Sequence, residues 1–197
     1  MKTIALDLDD VIVDSTEALR VLVNQRTGSR LTTEDYHVPD DTYWGYYERV
    51  WMRHGIMDKV SYDELLGEMA QDQSHMPLLP GAAFALGELS KRFDLVIITA
   101  RNPVTERATK AWLSQQFGTL FDKIYFAHDK SKTKGQLCQE VGASWLIDDN
   151  PGHCTVAQEV GVTPILFGEY GWHKVAPDDV VACKDWPAVL EYFDGRG

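Results

Sequence analysis

Two pairs of aspartates, each placed at the end of an apolar run, constrain this chain more than any other sequence feature. Asp7 and Asp9 follow an apolar run near the N-terminus, and Asp148 and Asp149 follow a second apolar run late in the chain. Neighbouring carboxylates raise one another's pKa values unless a positive charge neutralises them. If the two runs are neighbouring parallel strands, at least three carboxylates converge on one point. Oxygen ligands of this kind favour Mg²⁺ or Ca²⁺ over Zn²⁺.

The composition is that of a globular protein with an acidic surface. The chain has 197 residues and a net charge of -11, with 30 acidic against 19 basic residues. A negative surface repels nucleic-acid backbones and anionic membranes. We therefore expect neither a polynucleotide nor a membrane as a partner. A small phosphorylated substrate is compatible with this charge, because one bound cation and a few local basic groups can override the global field.

The cysteine pattern predicts a reducing compartment, and the lack of long apolar runs argues against a membrane-spanning segment. Cys138, Cys154 and Cys183 are widely spaced and form no CxxC motif, so we expect neither a disulfide framework nor a zinc site. No run is long and apolar enough to span a bilayer. The N-terminus leads directly into a strand rather than into a signal peptide. These features predict a cytoplasmic protein.

Alternating strand and helix patterns predict an α/β protein with a doubly wound parallel sheet. From first to last, the expected strands lie at 3–8, 95–98, 124–126, 145–147 and 164–167. Crossovers in such sheets are right-handed, so the carboxyl ends of the strands, where ligands bind, share one edge. Asp7, Thr99 and Asp148 all come at strand ends, and we expect them to meet at this edge.

From about residue 32 to residue 76 the sequence pattern differs from that of the rest of the chain. Aromatic and polar residues with scattered glycines replace clean strand patterns there, and helical spacing is present at 47–52 and 62–69. We therefore predict two domains. Residues 1–14 and 80–197 form the core, and residues 15–79 form a small helical cap inserted after the first strand.

The residues expected at the sheet edge suit the hydrolysis of a phosphate monoester. One carboxylate can attack phosphorus to form an aspartyl-phosphate, and a second can protonate the leaving oxygen and then activate water. A divalent cation lets the anionic nucleophile approach the anionic phosphoryl group. The hydroxyl of Thr99 can hold a phosphoryl oxygen. Lys134 at a helix start and Lys132 just before it are both candidates for the lysine that balances the charge.

Four motifs resemble those of the haloacid dehalogenase (HAD) superfamily, in the same order and on the same elements. Asp7-Leu8-Asp9-Asp10-Val11 resembles the first motif, DxDx(T/V). Ile97-Ile98-Thr99-Ala100-Arg101 resembles the second motif, a strand that ends in Thr or Ser. A lysine before a helix resembles the third motif, and Leu146-Ile147-Asp148-Asp149 resembles the fourth. The resemblance covers most of the chain and implies a HAD-like core with a helical cap.

The resemblance implies a catalytic role for each of these residues. Asp7 would be the nucleophile, and Asp9 would be the general acid/base. Thr99 would bind the phosphate. Lys134, or alternatively Lys132, would organise the charges around it. Because the dehalogenase branch lacks the second aspartate of the first motif, Asp9 favours phosphoryl chemistry.

The resemblance also implies a Mg²⁺ site. Asp7 would ligate the metal through its side chain and Asp9 through its backbone carbonyl. Asp148 would be a direct ligand, and Asp149 would bind directly or through water. The cap would close over the substrate and set specificity.

A narrower resemblance is to the 5'(3')-deoxyribonucleotidase-like branch. It depends on the short cap, on Asn150-Pro151 after the second aspartate pair, and on Trp186-Pro187 near the end of the chain. In that branch aromatic residues of the cap stack on the base, a contact that any nucleobase can make. The aromatic residues of this cap that could do so are Tyr43, Trp44, Tyr46, Tyr47 and Trp51.

The remaining candidates lie in two loops that follow strands. Ala100 and Arg101 come directly after Thr99 and are expected to contact the substrate. Arg101 either binds a substrate anion or pairs with a nearby acid. We expect Trp172 and His173 to be ordinary loop residues rather than part of the site.

Together these features predict a Mg²⁺-dependent phosphomonoester hydrolase that works through an aspartyl-phosphate. The expected substrate is a small phosphorylated metabolite, with a nucleoside monophosphate as the leading candidate. One alternative is a sugar phosphatase or phosphomutase on the same scaffold. Another is a non-catalytic regulatory protein that keeps the metal and phosphate site. The sequence leaves the oligomeric state open, including a homodimer.

Overall fold

A parallel sheet of six strands forms the centre of the molecule. The computed structural model describes residues 1–37, 46–127, 132–173 and 180–196. The strands are β1 (Thr3–Leu6), β2 (Asp94–Thr99), β3 (Ile124–Phe126), β4 (Ala143–Asp148), β5 (Thr163–Phe167) and β6 (Val181–Cys183). Their order across the sheet is β3-β2-β1-β4-β5-β6, and all neighbours pair in parallel.

This arrangement confirms the predicted doubly wound α/β fold and corrects it in two places. The first strand ends at Leu6 rather than at residue 8. The expectation that 164–167 is the last strand is wrong, because β6 pairs with β5 and extends the sheet. Of the three residues of β6, one is buried. Its three apolar residues are too few to distinguish a strand from a loop or a helix segment, because short apolar runs are ambiguous in a sequence pattern.

Helices connect the strands and cover both faces of the sheet. They are α1 (Ser15–Thr27), α2 (Thr33–Tyr36), α3 (Tyr46–Arg53), α4 (Tyr62–Met69), α5 (Ala82–Leu89), α6 (Glu106–Phe117), α7 (Lys134–Glu140), α8 (Pro151–Glu159) and α9 (Trp186–Phe193). A 3₁₀ turn at Pro103–Thr105 leads into α6. In the ranges described, none of these helices combines the length and apolarity needed to cross a membrane.

The alternation of side chains along β1 separates two apolar layers of the core. Ile4 and Leu6 belong to a cluster that includes residues of α5, α6 and α9. Ala5 belongs to a second cluster that includes residues of α7 and α8. Successive side chains of a strand point to opposite faces, so β1 is buried on both sides. A central parallel strand of this kind has a continuous apolar sequence, which is why β1 can be predicted from the sequence.

A separate apolar cluster lies mainly in the segment that the sequence predicts to be the cap. It contains buried residues of α1, α2, α3 and α4, among them Val23, Tyr36, Val50, Trp51 and Leu65. The division into a core of 1–14 and 80–197 and a cap of 15–79 stays a prediction.

The three cysteines are buried and unpaired. Burial raises the pKa of Cys138 to about 12 and that of Cys183 to about 11. Thiols with raised pKa values remain protonated near neutral pH and are poor nucleophiles. Cys138, Cys154 and Cys183 therefore act as small core residues.

The strand register brings the predicted site residues to one edge. Leu6 pairs with Ile97 of β2 on one side and with Ile147 of β4 on the other. The backbone N–H of Asp7 still donates to the carbonyl of Ile147, at 2.9 Å. Asp7 therefore leaves the sheet beside Asp148, the last residue of β4.

Candidate active site

The centre of the site is a buried chain of ion pairs formed by Asp7, Lys134 and Asp148. Asp7 follows β1, Asp148 ends β4, and Lys134 is the first residue of α7. The Nζ of Lys134 lies 2.6 Å from Asp7 Oδ2 and 2.8 Å from Asp148 Oδ2. A capping box between Thr133 and Gln136 fixes the start of α7, and thereby the position of the lysine. The fold thus brings together three predicted site residues that are distant in sequence.

Burial and charge set the protonation of these residues. Burial, opposed by Lys134, raises the pKa of Asp7 to about 6. Burial acts on Asp148 as well, but Lys134 and His153 hold its pKa below the usual value. The two carboxylates raise the pKa of Lys134 in spite of its burial. At neutral pH Asp7 is therefore mostly ionised, as a nucleophilic carboxylate must be.

His153 belongs to this cluster, although the sequence pattern did not indicate it. It lies in the first turn of α8, and its Nδ1 is 3.0 Å from Asp148 Oδ1. One ligand atom from each of Asp7, Asp148 and His153 lies within 4.8 Å of the other two, which is close enough to hold a metal ion. Its one sequence signal is its place in the helix that follows the Asp148-Asp149 pair.

Asp149 is buried next to this cluster and contacts the loop after β5. The indole N–H of Trp172 donates to Asp149 Oδ2 at 2.9 Å, and His173 Nε2 lies 2.6 Å from the Asp149 carbonyl oxygen. Burial, followed by the charges of Asp148 and Asp7, raises the pKa of Asp149 well above its usual value. Trp172 and His173 are thus not ordinary loop residues, because both contact a predicted metal ligand.

Both carboxylate oxygens of Asp9 bond to Arg101. The Arg101 Nε donates to Asp9 Oδ2 at 2.8 Å, and Nη2 donates to Oδ1 at 2.7 Å. Burial favours the neutral acid, but the charge and hydrogen bonds of Arg101 prevail and lower the pKa of Asp9. Of the two alternatives for Arg101, the structure shows the pairing with an acid. Among the described residues, the side chains grouped closely enough to hold a metal ion are those of Asp7, Asp148 and His153, and Asp9 is not one of them.

The other predicted contacts divide between the site and the surface. Thr99 ends β2, is fully buried and accepts a hydrogen bond from the backbone N–H of Arg101 at 3.2 Å. Ala100 lines the cavity described below. Lys132, a predicted substrate contact, is instead half exposed and pairs with Glu140 at 2.8 Å. Of the two candidate lysines, Lys134 is the one that reaches the carboxylates, and the sequence could not distinguish them because they are two positions apart.

A tight turn at Asp10 connects the site to the cap. Asp10 has φ of 53°, in the left-handed region that favours glycine. Its carboxylate accepts hydrogen bonds from the Thr16 hydroxyl at 2.6 Å and from the Thr16 backbone N–H at 3.0 Å. Burial raises the pKa of Asp10 to about 7. These bonds tie the residue after Asp9 to the first turn of α1.

A cavity of about 350 Å³ opens above the carboxylates. From the core, Asp7, Asp9, Arg101 and His153 line it. On the cap side its lining is mostly apolar and aromatic, and includes Leu19, Leu22, Tyr46, Tyr47, Tyr62, Leu65, Leu66 and Met69. The site therefore has a charged floor and an apolar roof.

The predicted aromatic contacts do not all reach this cavity. Tyr47 lines it and stacks on Tyr62, with ring centroids 6.4 Å apart and an angle of 18° between the planes. Trp51 is buried in the cap cluster, where its indole N–H donates to the Tyr36 hydroxyl at 3.0 Å. Tyr43 and Trp44 lie outside the described residues.

Comparisons with known proteins identify similar sequences. No family model matches the chain. A Staphylococcus aureus (strain Mu50) protein named "Putative 5'(3')-deoxyribonucleotidase" is 26% identical over 197 residues, which cover 98% of this chain and 95% of that protein. An Oceanobacillus iheyensis protein named "Putative nucleotidase" is 24% identical over 159 residues, or 77% of this chain and 78% of that protein.

Solved structures show the same fold. The haloacid dehalogenase-like hydrolase SP0104 from Streptococcus pneumoniae superposes with a TM-score of 0.59 at 18% identity, covering 98% of each chain. The "putative HAD-hydrolase YfnB" from Bacillus subtilis, bound to magnesium, superposes with a TM-score of 0.61 at 17% identity, also covering 98% of each chain. The resemblance to HAD hydrolases predicted from the four motifs is confirmed at the level of the fold, and the names of the sequence relatives agree with the nucleotidase-like branch.

Proposed function

We propose that this chain, whose fold is that of the HAD hydrolases, is a Mg²⁺-dependent phosphomonoester hydrolase that acts on nucleoside monophosphates through an aspartyl-phosphate. One observation carries this proposal. Asp7, which is held by Lys134 in a buried chain of ion pairs with Asp148, lines a cavity that has room for a small phosphorylated molecule. A reactive carboxylate next to a fixed positive charge is what phosphoryl transfer to an aspartate requires.

The residues around Asp7 suit a hard divalent cation. Carboxylates of Asp7, Asp148 and Asp149 provide oxygen ligands, which Mg²⁺ prefers. Asp149 Oδ1 is buried and has no hydrogen-bond partner within the described part of the chain. Burying a carboxylate oxygen without a partner is unfavourable, so this atom fits a cation ligand. When bound, the cation would neutralise the charge that develops on the phosphoryl oxygens.

The side chains of the protein would divide the remaining work. Asp7 attacks phosphorus, and Lys134 holds the attacking carboxylate and offers positive charge to the phosphoryl group. Asp9 lines the cavity, where it would protonate the leaving oxygen and later take a proton from water. Its bonds to Arg101 keep it ionised before substrate binds, so Asp9 can protonate the leaving oxygen only after this pairing loosens and the freed carboxylate takes up a proton from solvent.

The apolar roof of the cavity supports a nucleoside as the group that carries the phosphate. Tyr47 and Tyr62 present aromatic rings, and Leu19 and Leu65 present apolar side chains. A nucleobase stacks on aromatic residues, with about 1–3 kcal/mol per base, whereas a sugar presents hydroxyl groups that need polar partners. The names of the two sequence relatives support the same substrate class.

The proposal includes a partner class and a compartment. The net charge of -11 supports a small substrate rather than a polynucleotide or an anionic membrane, because a negative surface repels both. Three buried, unpaired cysteines suit the reducing conditions of the cytoplasm.

Phosphate release from a panel of nucleoside monophosphates and sugar phosphates, with Mg²⁺ and with EDTA, tests the proposal. We expect turnover with Mg²⁺ that is fastest on nucleotides, and no turnover by Asp7→Asn. Asp122→Asn changes an exposed aspartate and is the matched control, which should stay active. Asp9→Asn should accumulate phosphorylated protein after acid quenching. Near-normal turnover by Asp7→Asn would overturn the nucleophile assignment, and a preference for sugar phosphates would overturn the substrate class.

A further inference from the structure

The 170–173 loop, which follows β5, contacts both the metal site and the cap. On the core side, Trp172 donates to Asp149 Oδ2 at 2.9 Å and the Tyr170 hydroxyl donates to the Asp10 carbonyl at 2.7 Å. His173 Nε2 lies 2.6 Å from the Asp149 carbonyl oxygen. The loop thus holds Asp149 through both its side chain and its backbone.

On the cap side, Trp172 is a member of the apolar cluster formed by α1 to α4. Its ring stacks on Tyr170, with centroids 4.4 Å apart and planes 6° apart, and meets the Tyr46 ring edge-on at 5.7 Å. His37 packs edge-on against both Tyr170 and Trp172, at 5.8 and 5.6 Å. The side chain that fixes a predicted metal ligand is therefore also part of the cap core.

Gly171 shows how closely the loop approaches the cap. A Cβ at this position would lie 2.0 Å from the His37 carbonyl oxygen. Any side chain other than hydrogen would therefore displace the loop from the cap backbone. The glycine is needed for contact rather than for an unusual backbone conformation.

We propose that Trp172 is a positioning residue that couples metal binding to the packing of the cap. Its indole N–H holds Asp149 Oδ2, which leaves the unpartnered Oδ1 as the oxygen available to a cation. Its ring at the same time packs with Tyr46 of α3, a residue that lines the substrate cavity. Mg²⁺ bound to Asp149 thus stabilises the packing of the cap around Trp172. An ordered cap in turn strengthens Mg²⁺ binding, because coupling between two sites is reciprocal. This inference rests on the proposed Mg²⁺ site.

Calorimetric titration with MgCl₂ tests the positioning role without using activity. Trp172→Phe keeps an aromatic ring but removes the N–H, and we expect it to weaken Mg²⁺ binding by about tenfold or more, as loss of a partner behind a metal ligand does. Trp51→Phe is the matched control, because it removes an indole hydrogen bond from the same cluster, to Tyr36 rather than to Asp149. We expect it to bind Mg²⁺ within about twofold of the wild-type protein.

Hydrogen exchange tests the coupling to the cap. In the wild-type protein, Mg²⁺ should slow amide exchange around Asp149 and in α3 (Tyr46–Arg53), whereas in Trp172→Phe the protection of α3 should be lost. Gly171→Ala is a second variant that leaves the indole intact but moves the loop, and it should also weaken Mg²⁺ binding. It keeps the test informative if Trp172→Phe does not fold.

The outcomes separate this inference from the proposed function. Unchanged Mg²⁺ affinity in both loop variants would overturn the positioning role, and so would equal losses in Trp172→Phe and Trp51→Phe. Wild-type protein that binds no Mg²⁺ would overturn the inference and the proposed function together. Weaker Mg²⁺ binding by Trp172→Phe, in a protein that releases no phosphate from any substrate, would support the inference and overturn the function.

Discussion

Arg101 holds both carboxylate oxygens of Asp9, with contacts of 2.8 and 2.7 Å. The arginine side chain is 3% exposed and the aspartate side chain 28% exposed, so Asp9 is the more accessible member of a pair that lines the cavity. The remaining guanidinium nitrogen, Nη1, donates to Gln73 Oε1 at 2.7 Å and to Thr109 Oγ1 at 3.2 Å. This network fixes the guanidinium, and through it the position of the predicted general acid.

Replacing Arg101 should impair turnover more than the loss of a surface charge would. In Arg101→Met, Asp9 loses its fixed position, and we expect kcat to fall by about 100-fold because small displacements of catalytic groups have effects of this size. Arg107→Met is the matched control, because Arg107 is an exposed residue of α6. Steady-state kinetics on a nucleoside monophosphate would measure both variants. A kcat for Arg101→Met equal to that of the control would contradict a positioning role for the arginine.

Loss of the buried lysine should reduce stability as well as activity. Lys134→Met leaves the carboxylates of Asp7 and Asp148 buried without their shared cation, and removing one partner of such a pair costs about 3–5 kcal/mol. We expect a lower free energy of unfolding in EDTA and a partial recovery with Mg²⁺, because the metal can replace the missing charge. Urea unfolding followed by circular dichroism would measure this.

The neighbouring lysine gives the control for that measurement. Lys132 and Glu140 are each about half exposed, and exposed ion pairs contribute about 0–1 kcal/mol. Lys132→Met should therefore unfold and turn over substrate like the wild-type protein. Inactive Lys132→Met together with active Lys134→Met would reverse the choice between the two lysines.

The sequence was sufficient to predict five of the six strands and the acids at the edge of the sheet, for a physical reason. In a parallel sheet, buried strands are continuous apolar runs and their carboxyl ends share one edge. Acids placed directly after such runs, as Asp7 and Asp148 are, can therefore be located without knowledge of packing. Lys134 was predictable to within two positions because it opens a helix with a clear capping pattern.

The sequence could not predict the contacts that depend on packing between distant segments. Arg101 meets Asp9 across 92 positions, and Trp172 meets Asp149 across 23. Either arginine or tryptophan could as well be a surface residue, since no periodic pattern marks such a contact. His153 was missed for the same reason, because its burial and orientation follow from the docking of α8 rather than from its spacing.

Magnesium should stabilise the protein measurably. A ligand that binds only the folded state at 100 times its Kd adds about 2.7 kcal/mol, which raises the Tm of a chain of this length by about 5–10 °C. We expect this increase with MgCl₂ in differential scanning calorimetry and its reversal by EDTA. Asp149→Asn should show a much smaller increase than the wild-type protein. An equal increase in both would exclude Asp149 as a ligand.

Gly135 should be intolerant of a side chain because it lets α7 approach α8. A Cβ at Gly135 would lie 2.1 Å from the carbonyl oxygen of Val156, so Gly135→Ala must push the two helices apart. Overpacking of this kind costs about 1–3 kcal/mol, and the shift would also move the adjacent Lys134. Gly87→Ala is the matched control, because the added carbon would meet no described atom within 4 Å apart from its chain neighbours and the backbone of its own helix.

Gly87 lies in α5. Because alanine favours a helix more than glycine does, Gly87→Ala should leave the free energy of unfolding unchanged or raise it by up to about 1 kcal/mol. Thermal unfolding of the two variants measures the difference, and kcat with Mg²⁺ shows whether displacement of α7 reaches Lys134. We expect Gly135→Ala to lose both stability and turnover, and Gly87→Ala to lose neither. Gly135→Ala that unfolds like Gly87→Ala would mean that the close approach of α7 to α8 does not position the lysine.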